Sequence, residues 1–147
     1  MTLPDLHPVD VQEDAVDPSL LPFFRPRGIV VVGATPDTTK LGYALARNLM
    51  RSGYGGAVHF VNPKGGTLFG RPIHARVEDV PNPVDLAVLL IPAAAVPGAL
   101  HACGARGLRA AVVESGGFRE TGWEGRLLEE QCLQVAHVYD MRLIGPN

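Results

Sequence analysis

Lys64 sits in the stretch "FVNPKGG", Phe60 to Gly66, behind an apolar run and ahead of two glycines. Pro63 stiffens the turn that ends the run, and Gly65-Gly66 allow backbone to come near a ligand. In a dinucleotide-binding α/β domain, a carboxylate near this position grips the ribose hydroxyls. A lysine is instead a point charge suited to phosphate. The spacing therefore fits a ligand whose ribose is already phosphorylated, as in NADP or coenzyme A. A plain surface lysine in a glycine turn is the bland alternative.

Three further loops could do chemistry. "VVVGATPDTTKLG" is a strand, a Gly-led turn and a helix start. Gly33, Ala34, Thr35, Pro36, Asp37, Thr38, Thr39 and Lys40 bring N–H groups, hydroxyls and one cation to a helix entrance, where an anion is favoured. The GxGxxG fingerprint is absent, with glycine only at Gly33 and Gly42, and so is the phosphate-loop signature GxxxxGK[ST]. The competing reading is a Gly turn with Thr38 or Thr39 as an ordinary helix cap. "LLIPAAAV" leaves a buried strand at Ile91-Pro92 and continues in Ala93, Ala94 and Ala95. Small side chains there leave room for a slender, partly apolar arm, although an alanine-rich helix start reads the same way. "VVESGGF", Val113 onward with Glu114, offers consecutive N–H groups around Ser115, Gly116 and Gly117, a nest for an anion or a carbonyl. Ser115 has neither a GxSxG elbow nor a readable His/Asp pair, so it is not read as a nucleophile.

These loops need a frame that gathers them. Gly28–Val32, Ala57–Val61, Leu86–Ile91 and Ala110–Val113 are apolar throughout, as strands covered on both faces are. "MRLI" adds a last strand, and Ile73-His74 a short third one. Helices are predicted over Lys40–Ser52, with Leu41, Leu45 and Leu49 on one face, over Val96–Arg106, and over Trp123–Tyr139, with Leu128, Cys132, Val135 and Tyr139 on one stripe. "ARVEDV" reads as a brief helix. Right-handed crossovers then give an α/β fold of three layers, a doubly wound parallel sheet with strand order 3-2-1-4-5-6. In such a sheet the four loops share the rim beyond the carboxyl ends of the strands.

The totals fit one globular domain of 147 residues, with 46% hydrophobic and 19% charged side chains. Residues 1–22 read as an acidic, Pro-rich, weakly ordered leader and 23–147 as the folded domain. Asp5, Asp10, Glu13, Asp14 and Asp17 all precede Arg25, which is the first of the 13 Lys and Arg. The folded part is thus mildly positive, which suits a small anion and is too little for nucleic acid. No apolar run could span a bilayer and no signal peptide is visible, so the protein is expected in the cytoplasm, away from membranes. Cys103 and Cys132 read as reduced core thiols, with no Cys/His cluster at metal spacing. His7, His59, His74, His101 and His137 lie in the leader, in strands or on helices and read as structural or solvated.

Taken together, "FFRPRGIVVVGAT…KLGYALARNL", "VHFVNPKGG", "VDLAVLLIPAAAV", "AAVVESGGF" and "MRLIGPN" resemble the CoA-binding domain of NDP-forming acyl-CoA synthetases, related to the succinyl-CoA synthetase alpha subunit. The likeness runs from about Leu20 to Asn147. It implies a Rossmann-like domain holding coenzyme A in extended form. Gly33, Ala34, Thr35 and Pro36 to Lys40 would contact the nucleotide phosphates. Lys64, with Asn62 and Pro63 beside it, would pair with a CoA phosphate. Ile91, Pro92, Ala93 and Ala94 would border the pantetheine, and Val113, Glu114, Ser115 and Gly116 its thiol end. Here "ESGG" stands where these synthetases often show Ser-Ala-Gly.

The resemblance assigns no catalytic residue to this chain. The family's phosphorylated histidine and nucleotide-grasp module lie in later domains, and "IGPN" stops inside a motif that usually runs on into Cys and Gly. The expectation is therefore a fragment of a longer synthetase, partnered by downstream domains or a second subunit. In the parent, CoA would be consumed by thiolysis of an acyl phosphate. Some relatives fuse the unit to an acetyltransferase domain. The alternatives are a free-standing CoA-binding protein with a regulatory or carrier role and an NADP-dependent oxidoreductase domain. The missing GxGxxG, and the lack of a Tyr/Lys or Asp/His constellation, count against the last.

Overall fold

The computed structural model describes residues 16–146. Strands β1 Gly28–Val32, β2 Ala57–Val61, β3 Thr67–Leu68, β4 Arg71–His74, β5 Leu86–Leu89, β6 Ala110–Val113 and β7 Arg142–Ile144 form one sheet, ordered β3-β4-β2-β1-β5-β6-β7. The helices are α1 Leu21–Phe24, α2 Leu41–Arg51, α3 Val96–Arg106 and α4 Trp123–Val138. Every neighbouring pair is parallel except β3 with β4. Without β3 this is the expected order 3-2-1-4-5-6, with Ile73-His74 inside β4.

The addition, β3, folds back through a two-residue turn. Phe69 and Gly70 both have positive φ, 51° and 73°. That is the backbone a tight hairpin needs, and glycine or asparagine usually supplies it. A phenylalanine in the first place hid the hairpin from sequence reasoning. Its ring packs at 5.4 Å from Tyr43 and 6.4 Å from Phe60, which offsets the strained backbone.

All five residues of β1 are buried. Val30 and Val32 belong to a core shared with α3 and α4, through Leu100, Cys103 and Cys132. Val31 belongs to a second core with Ala46 of α2, Val58 and Phe60. Alternate side chains of one strand thus face two helix layers, which is why the run has no polar residue to spare. Burying a single large side chain such as Phe60 contributes on the order of 2–3 kcal/mol.

Helix α2 departs from expectation. Leu41 is 72% exposed, and the buried contacts are Gly42 and Ala46, with Leu45 and Leu49 half-buried. The reason is distance: a Cβ on Gly42 would overlap the carbonyl oxygen of Gly33, so only the smallest residues fit where α2 meets β1. The brief helix expected in "ARVEDV" is a single 3-10 turn, Val77–Asp79. Helix α3 has the expected bounds, and Gly107, at φ 104°, caps it. Leu128, Val135 and Tyr139 pack around buried Cys132, as the stripe on α4 predicts.

Of the expected leader, residues 1–15 lie outside the described residues. Pro18–Leu20 form a 3-10 turn that runs into α1, and Arg142 at the start of β7 donates to Ser19 and Asp17 at 3.0 and 3.3 Å. Cys103 and Cys132 are free and fully buried. Among the described residues, no helix is long and apolar enough to cross a membrane.

Candidate functional site

The loops that follow β1, β2, β4, β5 and β6 line one cavity of about 1110 Å³ beyond the carboxyl ends of the strands. Ligand pockets commonly run to about 1,000 Å³, so this one suits a large molecule. Strands about 4.8 Å apart make the rim from β4 to β6 roughly 19 Å long.

The β1 loop is organised around Asp37. Its N–H donates to the Thr35 hydroxyl at 3.2 Å. Its carboxylate accepts the Thr39 hydroxyl at 2.7 Å and the Thr39 N–H at 2.9 Å. These bonds, the hydroxyl first, hold the Asp37 carboxyl below its ordinary value, with the Lys40 and Lys64 ammonium groups adding to the effect. Thr38 and Thr39 therefore do not cap α2, whose first residue follows an N-cap, Lys40, with no side-chain hydrogen bond. Tyr43 and Ala44 donate back to the Lys40 carbonyl. The N–H groups of Leu41 and Gly42, both at the cavity wall, have no acceptor among the described residues, as first-turn helix N–H groups lack one within their own helix.

Asn62 joins the next loop to this one. Its amide donates to the Ala34 carbonyl at 3.1 Å, and its side-chain oxygen accepts the Lys64 N–H at 3.0 Å. Gly65 then turns back with its N–H on the Asn62 carbonyl. The result is a fixed backbone carrying Lys64, whose ammonium makes no ion pair among the described residues.

On the other half of the rim the walls are small. Ile91 and Pro92 lead through Ala95 to Ala99 and Ala102, which fall on one face of α3 and line the cavity with Ser115 and Gly116. The Ile91 N–H donates to the Ser115 hydroxyl at 3.0 Å, so that serine is structural. The nest expected after β6 is filled from within. Gly117 and Phe118 both donate to the Glu120 carboxylate, which these N–H groups hold below its ordinary value.

Of the residues singled out in the sequence, Gly33, Thr35, Asp37, Thr39, Lys40, Asn62, Pro63, Lys64, Ile91, Pro92, Ser115 and Gly116 line the cavity. Ala34, Pro36, Thr38, Ala93, Ala94, Val113 and Glu114 do not. Ala34 and Val113 are buried in the strand ends, and Pro36, Thr38 and Glu114 face solvent. Sequence reasoning missed Leu41, Ala75, Arg76, Val77, Glu78, Ala99 and Ala102. The first residues beyond β4 needed only the rule that every parallel strand empties onto the same rim. The alanines on α3 needed the i, i+3 spacing of small residues.

Charged and hydroxyl-bearing side chains, the carboxylates of Asp37 and Glu78 included, thus follow β4, β2 and β1, while mostly alanine, proline and glycine follow β5 and β6. The family model described as "CoA binding domain" matches residues 27–147. The alpha subunit of acetate–CoA ligase [ADP-forming] I from Pyrococcus furiosus is 40% identical over 133 residues, 88% of this chain and 29% of that protein. Acetate–CoA ligase [ADP-forming] I from Archaeoglobus fulgidus is 40% identical over 124 residues, 84% of this chain and 18% of that protein. Among solved structures, the apo form of the dinucleotide-forming acetyl-coenzyme A synthetase 1 of Ca. Korarchaeum cryptofilum superposes with a TM-score of 0.82. It is 41% identical, over 87% of this chain and 28% of that one. The chain therefore belongs to the CoA-binding domain family. It spans less than a third of the length of these relatives.

Proposed function

We propose that this CoA-binding domain is the CoA-holding unit of an NDP-forming acyl-CoA synthetase acting in the cytoplasm. The overall reaction is acyl-CoA + NDP + phosphate to acid + NTP + CoA, with acyl-CoA the substrate in this direction and CoA the substrate in the reverse, acyl-CoA-forming one. Partner domains or a second subunit carry the phosphoryl chemistry. The observation that carries the reading is the polarity of the rim: charged and hydroxyl-bearing at β4, β2 and β1, small and apolar at β5 and β6. CoA has the same polarity, a phosphorylated nucleotide at one end and a slender pantetheine at the other.

In this reading the N–H groups of Leu41 and Gly42, with Thr35, Thr39 and Lys40, take the diphosphate. Lys64 pairs with the 3′-phosphate. Pantetheine lies along Ile91, Pro92 and the alanine face of α3, and the thiol reaches Ser115 and Gly116. The protein groups orient CoA and leave the thiol at the open end, where an acyl group is delivered by the partner.

Isothermal titration with CoA, 3′-dephospho-CoA and NADP tests this. CoA should bind best, and removal of either the 3′-phosphate or the Lys64 amine (Lys64→Ala) should cost about 1–3 kcal/mol, as for a charge-assisted hydrogen bond. Equal affinity for CoA and its dephospho form would overturn the role of Lys64. A preference for NADP would overturn the ligand.

A further inference from the structure

The loop after β4 contributes charge to the rim but holds no named group of the ligand in the reading above, yet it forms part of the cavity wall. Val61 pairs with His74 in parallel register, and the Asn62 N–H continues the ladder to the His74 carbonyl at 2.9 Å. Lys64 lies three residues past the end of β2 and Arg76 two past the end of β4. Both are therefore carried by neighbouring strand ends at the same edge of the cavity, and both line it.

Arg76 is held only loosely. Its Nε and one terminal nitrogen reach the two carboxylate oxygens of Asp79 at 3.4 and 3.3 Å, an i, i+3 pair on exposed side chains. Such a pair contributes little and is readily exchanged for a stronger partner. A guanidinium meets phosphate with two parallel N–H bonds, which a lysine cannot do.

We propose that Arg76 is a second cation for the 3′-phosphate of CoA, parked on Asp79 until the ligand arrives. The proposal rests on the placement of that phosphate at Lys64. The diphosphate is assigned to the β1 loop, two strands away, so the anion within reach of β4 is the one on the ribose. Asp79 keeps Arg76 from repelling Lys64 in the free protein and releases it when a dianion outcompetes the carboxylate.

Calorimetry on the 147-residue chain with CoA and 3′-dephospho-CoA tests the idea in wild type, Arg76→Ala, Arg76→Lys and Asp79→Asn. Arg76→Ala should weaken CoA about ten-fold and leave dephospho-CoA unchanged, the loss of one charge-assisted contact. Arg76→Lys should recover part of the loss, and Asp79→Asn should tighten CoA alone. Arg76 is exposed, so these variants keep the fold, and a thermal melt verifies it. Unchanged CoA affinity in Arg76→Ala, or equal losses for both ligands, would overturn the proposal. A wild type blind to the 3′-phosphate would remove the Lys64 assignment and this one with it. A wild type that discriminates through Lys64 but not Arg76 would remove this one alone.

Discussion

The N–H of Ile91 donates to the hydroxyl of Ser115 over 3.0 Å, so the loops leaving β5 and β6 are joined at the cavity wall by one hydrogen bond. Ser115 is 3% exposed, and water cannot easily replace it. Ser115→Ala leaves the half-buried Ile91 N–H without its protein acceptor. It should destabilise the chain by about 1–3 kcal/mol in urea denaturation. A loss within measurement error would mean that the loop finds another acceptor.

Gly42 and Gly98 should respond to alanine with opposite signs. In an ordinary helix, alanine improves on glycine by up to about 1 kcal/mol. At Gly98 nothing lies within 4 Å of the added methyl, so Gly98→Ala should stabilise by ~0.5 kcal/mol. At Gly42 the methyl would overlap the Gly33 carbonyl, and α2 must move off β1. Overpacking of this kind costs about 1–3 kcal/mol, and the shift carries the Leu41 and Gly42 N–H groups away from their place at the cavity wall. Gly42→Ala should therefore lower both the denaturation midpoint and the affinity for CoA. A Gly42→Ala protein more stable than wild type would refute the close approach.

The contrast shows what a single sequence can disclose. Val30, Val31 and Val32 announce a two-sided strand because burial on both faces admits no polar residue, and that logic recovered four of the seven strands, with β4 and β7 read from shorter cues. The places of Gly33, Lys64 and Pro92 on the cavity wall were legible because strand ends that must bend at a rim use glycine and proline. Leu41 misled, since helical spacing says which residues share a face but not how close the sheet comes; Gly42 held that information. Glu120 could not be foreseen, because its carboxylate fills the Gly117 nest through a turn that no local signal specifies. Arg76 was hidden for a related reason. It stands beyond a short strand with neither glycine nor proline to mark its loop.

Both cysteines should be chemically silent in the folded chain. Burial pushes the Cys103 thiol up to about 12 and the Cys132 thiol up to about 11. Neither forms appreciable thiolate at pH 8, and neither is accessible. Iodoacetamide at pH 8 should modify neither in native protein and both in denaturant. Rapid native labelling of either one would show that α3 or α4 opens locally far more often than its packing implies.

The acid limit of the loop after β1 should be set by Asp37. Its folded-state pKa lies below the unfolded value of 3.8, chiefly through the Thr39 hydroxyl and then the Thr39 N–H. The contribution of the ionised carboxylate is therefore fully present above pH 3.8 and fades as pH falls through the lower, folded value. Thr39→Val removes the first of those bonds while keeping the shape of the side chain. The Asp37 pKa, followed by carboxyl-carbon NMR, should then rise toward 3.8, moving the onset of acid loosening to higher pH. The amides of Thr35 to Lys40 report that loosening separately, because their shifts should follow the Asp37 titration in wild type. A carboxyl titration unaltered by Thr39→Val would show that the backbone N–H of residue 39 and the lysines, not the Thr39 hydroxyl, hold Asp37 ionised.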